Sequence, residues 1–270
     1  LAGDGADELF AGYRMYQGEY LAKYYSILPG IIKEKVIEPF INYLPDSREK
    51  KHSEYIRRLK KFTNGMSGSL AERFYGWQEI CSHDIRQKLI RHHLRDKISF
   101  REGQEIISQK LNEFAGDNIN RMLYVDVKNS LPGDMLTKVD LMSMRNSLEV
   151  RVPFLDHEVV EFAFKMEGEV KLKGLKRKYI LMETFKDILP PMLHNRPKWG
   201  FEMPIGAWLK NELKFLIDEF LSKDVINKQN IFEYEVIDCM IKKHLSNKVD
   251  YSWQLWNLIV FQHWFKGYFL

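Results

Sequence analysis

Three carboxylates stand within the first eight residues: Asp4, Asp7 and Glu8, in the stretch Gly3-Asp4-Gly5-Ala6-Asp7-Glu8-Leu9-Phe10-Ala11-Gly12-Tyr13. Glycines flank Asp4, so the backbone there can take positive φ and come close to a ligand. Leu9, Tyr13, Tyr16, Tyr20 and Tyr24 follow at helical spacing. The pattern reads as a Gly-rich turn running into a helix, whose first N–H groups would attract an anion. Bare carboxylates repel a phosphate, so a divalent cation should bridge the two. Hard cations take one or two protein carboxylates together with phosphate oxygens. The same acids also suit a plain helix N-terminus, where they stabilise the dipole.

Further residues able to do chemistry lie in the second half. Asp134 follows Pro132, where it can cap a helix start. Glu149 and Arg151 lie two apart; in an extended segment they share a face and can form a partly buried ion pair. Asp156 follows Pro153 and can cap the next helix. Lys176-Arg177-Lys178 opens a helical pattern with cations where the dipole disfavours them, which hints at an anion. Pro197 and Gly200 bracket Lys198, so turn geometry sets its position.

These stretches resemble the asparagine synthase family. Gly3 to Tyr13 looks like the family's pyrophosphate-site motif. Leu131 to Asp156 is similar to its second signature, and Arg196-Pro197-Lys198-Trp199-Gly200-Phe201 to its Arg-x-Lys-x-Gly-Phe loop. The matching stretches (1–13, 131–156 and 196–209) lie within roughly residues 1 to 210, and about 30–130 would be the family's variable helical section. The resemblance implies an ATP-dependent ligase that joins aspartate to ATP as β-aspartyl-AMP and then makes the amide with ammonia from glutamine. An amidotransferase acting on another carboxylate, such as a sugar acid, fits the residues as well. A helical binding module that has kept the motifs is the reading from another class.

By the same resemblance, Lys198 and Asp134 would be catalytic. Gly3, Asp4, Gly5 and Lys178 would meet the nucleotide or pyrophosphate, and Asp7 would hold Mg²⁺. Glu8, Asp140, Glu149, Arg151 and Asp156 would support the site from behind. ATP and Mg²⁺ are the expected cofactors, and a homodimer is compatible with the family. The family's Ser-Gly-Gly-x-Asp-Ser phosphate loop has no counterpart here, and residue 1 is Leu1 rather than a glutaminase cysteine. The chain is therefore expected to be a C-terminal piece of a longer protein, inactive without the remainder.

The elements that must position these residues read as helices. The whole family domain would be α/β, of the adenine-nucleotide-hydrolase-like (PP-loop ATPase) type, with ATP at the carboxyl ends of a parallel sheet. This chain shows no long β-branched or alternating run, so its part should be mainly α, with at most a short strand remnant near Leu1 or Val150. The opening helix should run to Leu28 and stop at Pro29-Gly30, and Pro39 should kink or break the next. The basic run Arg48 to Lys61 reads as a solvated helix face, with Tyr55, Ile56, Leu59 and Phe62 turned inward. Adjacent His92 and His93 point to different faces and read as surface residues. The closing aromatics Trp253, Trp256, Phe261, Trp264 and Phe265 read as packing residues.

The composition suits a large packed core, with 45% hydrophobic residues in 270. Net charge is +4, with 37 acids among 41 bases, which argues against a nucleic-acid binder. Only Cys81 and Cys239 are present, too few and too distant for a disulfide framework, so a reducing cytoplasm is expected. No apolar run reaches membrane-spanning length, and no membrane partner is expected.

Overall fold

The computed structural model describes residues 1–44, 59, 60, 62, 63, 66, 68–194 and 203–269. These residues are mainly helical, as the periodicities require. Among them β pairing is confined to two isolated antiparallel bridges, Ile90 with Phe232 and Lys173 with Lys176. The expected strand remnant reduces to one bond: the Ala2 N–H donates to the Arg151 carbonyl at 2.9 Å, between extended stretches that form no strand. The chain divides into two compact units.

The first unit gathers Leu1–Ile37, the described part of Phe62–Trp77, and the chain from Gly103 to 194. Its opening differs from the sequence expectation. The stripe from Leu9 to Tyr24 belongs to two helices, α1 (Ala6–Leu9) and α2 (Arg14–Ile27). After Phe10, Ala11 turns left-handed at φ 55°, and the Gly12 N–H returns to the Asp7 carbonyl at 2.8 Å. This is a Schellman closure with alanine at the position that glycine usually takes. Helix α2 stops at Leu28 before Pro29, as expected. The break expected at Pro39 takes the form of a π turn over Lys33–Ile37, just ahead of the helix Glu38–Tyr43.

Helix α3 (Asn118–Val125) starts on Asp117, whose carboxylate accepts the Asn120 N–H at 3.0 Å. It continues through a π-helical segment, Asp126–Leu136, into α4 (Thr137–Met144). Pro132 therefore lies inside a helix, not in the turn before one. Proline lacks an N–H and crowds the carbonyl one turn back, and wider π spacing absorbs both. The Thr137 hydroxyl donates to the Pro132 carbonyl at 2.7 Å. Asp134 is thus mid-helix and exposed, and caps nothing, contrary to expectation. Asp156 does cap α5 (His157–Lys165), accepting the Glu158 N–H at 2.9 Å. Tyr16, Phe74, Leu111, Met122, Leu123 and Leu172 are the centre of the core. Beside it Lys171, fully buried, donates to Asn120 Oδ1 at 2.8 Å and lies over the Phe164 ring. Burial pulls its ammonium down to about 8, with nearby Asp117 pulling the other way.

The second unit holds the described residues among Glu38–Lys61, Gln78–Glu102 and 203–269. Leu209, Leu221, Ile226, Ile237 and Leu255 form its centre, supplied largely by α7 (Tyr234–Leu245), α8 (Ser252–Phe269) and the shorter helices before them. Trp256 and Phe261 pack against this core, but Trp253 and Trp264 are each 47% exposed, because Leu255, Leu258 and Ile259 occupy the inner face of α8. Leu59 is also exposed rather than turned inward, while most of the basic run lies outside the described residues. His92 and His93 are exposed, as the sequence suggests.

Candidate phosphate site

Sequence-distant residues meet over the turn that ends α1. The Lys178 ammonium lies 3.1 Å from Asp7 Oδ1, with each side chain about a quarter exposed. Lys178 takes a left-handed conformation, φ 51°, at the head of α6 (Tyr179–Thr184). Its N–H donates to the Phe10 carbonyl at 3.0 Å, and Arg177 Nη1 donates to the Gly12 carbonyl at 3.0 Å. Two bonds thus latch the 177–178 backbone and side chain to the Phe10–Gly12 turn. The Asp7 carboxylate answers the cation that the helix dipole alone would disfavour.

Gly12 makes room for this pair. A Cβ there would lie 1.7 Å from Asp7 Oδ1 and 2.5 Å from Lys178 Cε. Gly5 is glycine for two reasons: its φ is 87°, and a Cβ would meet Leu155 Cδ2 at 2.3 Å. Gly3 faces open space, and Asp4 between them is half-buried. The Gly-rich turn does run into a helix as the sequence suggests, but α1 has only four residues and so little dipole of its own.

Beneath the turn lies a polar layer built from residues far apart in the chain. Glu8 is buried and accepts the Tyr13 hydroxyl at 2.5 Å. Tyr16 donates to Asp126 Oδ2 at 2.5 Å, and Ser130 to Asp126 Oδ1 at 3.0 Å. Burial pushes the Asp126 carboxyl up to about 6; the Tyr16 and Ser130 hydrogen bonds pull it down, and Glu8 pushes it further up. Burial and the adjacent carboxylates hold Tyr13 and Tyr16 well above the usual phenol range, so both remain donors. Asp126 was findable: it follows Ile119, Met122 and Leu123 on one helical stripe, an acid where the period demands a core residue.

Other expected site residues fall elsewhere in the first unit. Asp140, Glu149 and Arg151 line a hollow of about 430 Å³ beside Val139, Met144 and Val152. Glu149 and Arg151 do pair, but they are 68% and 76% exposed, so the partly buried pair is corrected to a surface one. So exposed a pair contributes little. Asp134 is not among the residues lining the hollow. The loop with Lys198 lies outside the described residues.

Among the described residues no three His, Cys, Asp or Glu side chains converge as metal ligands. Asp7 alone offers too few donors to hold a resident metal tightly. A cation carried in with phosphate fits, because Mg²⁺ needs only one or two carboxylates when phosphate and water supply the rest. Asp7 already holds one cationic group at contact distance.

A sequence model described as asparagine synthase matches residues 1–266. The chain belongs to the asparagine synthase family. It is 31% identical over 268 residues to the glutamine-hydrolysing asparagine synthetase 1 of Bacillus subtilis, covering 98% of this chain and 39% of that protein. A putative glutamine-hydrolysing asparagine synthetase of Mycobacterium tuberculosis is 31% identical over 275 residues, 98% of this chain and 38% of the relative. At 20% identity over 269 residues, the amidase chyE of Penicillium rubens covers 90% of this chain. The chain thus spans about two-fifths of the length of these relatives. No solved structure gives a significant match. Among the described residues no helix of this family member is long and apolar enough to cross a membrane.

Proposed function

We propose that the full-length protein is a cytoplasmic ATP-dependent ligase that makes asparagine from aspartate, with ammonia drawn from glutamine. The observation that carries this reading is the Asp7–Lys178 pair over Gly12, inside the matched family region. In the reaction, an aspartate carboxylate oxygen attacks the α-phosphorus of ATP and pyrophosphate leaves. Ammonia nitrogen then attacks the acyl carbon, loses a proton, and AMP leaves.

The chain's own groups take these roles. The Gly3–Gly5 turn lets backbone approach the pyrophosphate. Lys178 offers an ammonium to its oxygens, and Asp7 would hold Mg²⁺ through one carboxylate. Bound Mg²⁺ supplies charge neutralisation on the phosphate oxygens. Lys198 meets the charge that builds on the α-phosphoryl oxygens, stabilising the transition state more than the ground state. Asp134 is a proposed cleft acid, displayed on the π-helical segment. Glu8 and Asp126 hold the motif from below.

A second reading, amide formation on a carboxylate other than aspartate, draws on the relatives whose names do not include asparagine, the amidases, which cover 90% and 87% of the chain at 20% identity. One experiment separates them. Full-length protein is incubated with ATP, Mg²⁺, aspartate and glutamine, and the products are quantified. Asparagine, AMP and pyrophosphate in equal amounts support the first reading. AMP and pyrophosphate formed only with another carboxylate support the second, and ADP with phosphate overturns both.

A further inference from the structure

The Asp7 carboxylate and the end of the Lys178 side chain meet above the Gly12 backbone, where a single Cβ would collide with Asp7 Oδ1 and Lys178 Cε. The Lys178 backbone is pinned by its bond to Phe10, whereas its ammonium stands at the end of a flexible four-carbon stem. Both charged groups remain about a quarter exposed, so an incoming ion can reach them. A divalent cation attracts a carboxylate more strongly than an ammonium does at equal distance, and once bound it repels the lysine it replaces.

We propose that Lys178 is a positioning residue that holds the Asp7 carboxylate in place until a divalent cation displaces its ammonium, and that the displaced lysine then turns to the phosphates arriving with that cation. This rests on the phosphate-site reading above. Lysine and metal compete for Asp7, while lysine and metal cooperate on pyrophosphate. Removing the ammonium therefore moves the two affinities in opposite directions, which loss of a merely structural contact does not do.

The test is Mn²⁺ binding to the full-length protein, followed by electron paramagnetic resonance with and without pyrophosphate. Lys178→Met keeps the stem and the backbone requirements. Without phosphate it should bind Mn²⁺ about fivefold more tightly than wild type, the size of one partly exposed ion pair. With pyrophosphate present it should bind the metal complex at least about tenfold more weakly, the size of one charge-assisted contact. Lys178→Arg should keep Mn²⁺ affinity near wild type. Unchanged or weaker Mn²⁺ binding by Lys178→Met, with Asp7→Asn losing the ion, overturns the exchange but leaves Asp7 as the metal residue. Wild-type Mn²⁺ binding by Asp7→Asn overturns the phosphate-site reading itself.

Discussion

Gly12→Ala puts a methyl group where the Asp7–Lys178 pair now lies. The new carbon would stand 1.7 Å from Asp7 Oδ1 and 2.5 Å from Lys178 Cε. Carbon contacts settle at about 3.5–4.0 Å, so the carboxylate must retreat by roughly 1.5 Å or more and the lysine by roughly 1 Å. The turn itself cannot yield easily, because the Gly12 N–H is bonded to the Asp7 carbonyl and the Gly12 carbonyl to Arg177. Overpacking costs about 1–3 kcal/mol, and loss of a partly exposed ion pair adds at most about 1 kcal/mol. Restricting the unfolded chain returns about 0.4–1 kcal/mol. The expected net destabilisation is about 1–3 kcal/mol. At about 2–4 °C per kcal/mol for a chain of this size, Tm falls by roughly 2–12 °C. Differential scanning calorimetry measures this, with Gly133→Ala as control. Gly133 sits in the π-helical segment with no atom within 4 Å of a built Cβ, so alanine there should be neutral or stabilising. A Gly12→Ala protein that melts with wild type, while Gly133→Ala behaves as stated, refutes the placement of the pair over the turn.

Gly5→Ala should destabilise by about 2–4 kcal/mol, from left-handed strain at φ 87° together with a clash on Leu155, and chemical denaturation reads this directly. Wild-type stability there would mean the turn is not held in this conformation. Asp126, raised to about 6 from 3.8, holds its proton more tightly folded than unfolded. Its contribution is full below about pH 4 and is lost as pH rises to about 6, roughly 3 kcal/mol in all. Relative to wild type, Asp126→Asn should therefore gain stability between pH 4 and 7 in urea unfolding, and a flat difference would refute the shift. Lys198→Ala should lower kcat for pyrophosphate release on the order of 10²–10³-fold, with little change in ATP affinity. A raised ATP KM at normal kcat would assign Lys198 to ground-state binding alone.

The mainly helical character was legible because periodicity repeats over many residues and β-branched runs are scarce. Helix ends were legible where one residue decides them, as at Pro29 and Asp156. The break at Ala11 was not, because alanine carries no turn signal and the Leu9–Tyr24 spacing continues through it by coincidence of register. Pro132 misled in the opposite way: a π-helical segment admits a proline that an α-helix would reject, which left Asp134 inside a helix. The candidate phosphate site was legible as residue types, since Asp7 and Lys178 were both singled out. Their meeting across 171 positions was not, because it depends on bonds from Lys178 and Arg177 to the Phe10–Gly12 turn. Asp126 shows a weaker signal of the same kind, an acid on an apolar stripe whose partner Tyr16 lies on another helix.

The proposed role of the Asp7 turn in adenylating a carboxylic acid is read by exchange of labelled pyrophosphate into ATP. Full-length wild type should exchange label only when Mg²⁺ and aspartate are both present. Asp7→Asn, folded to the wild-type melting temperature within a few degrees, should lose exchange by at least about tenfold, the loss expected for removing one charge-assisted contact. Exchange that continues undiminished in Asp7→Asn, or that needs no carboxylic acid, would remove the Asp7 turn from adenylation.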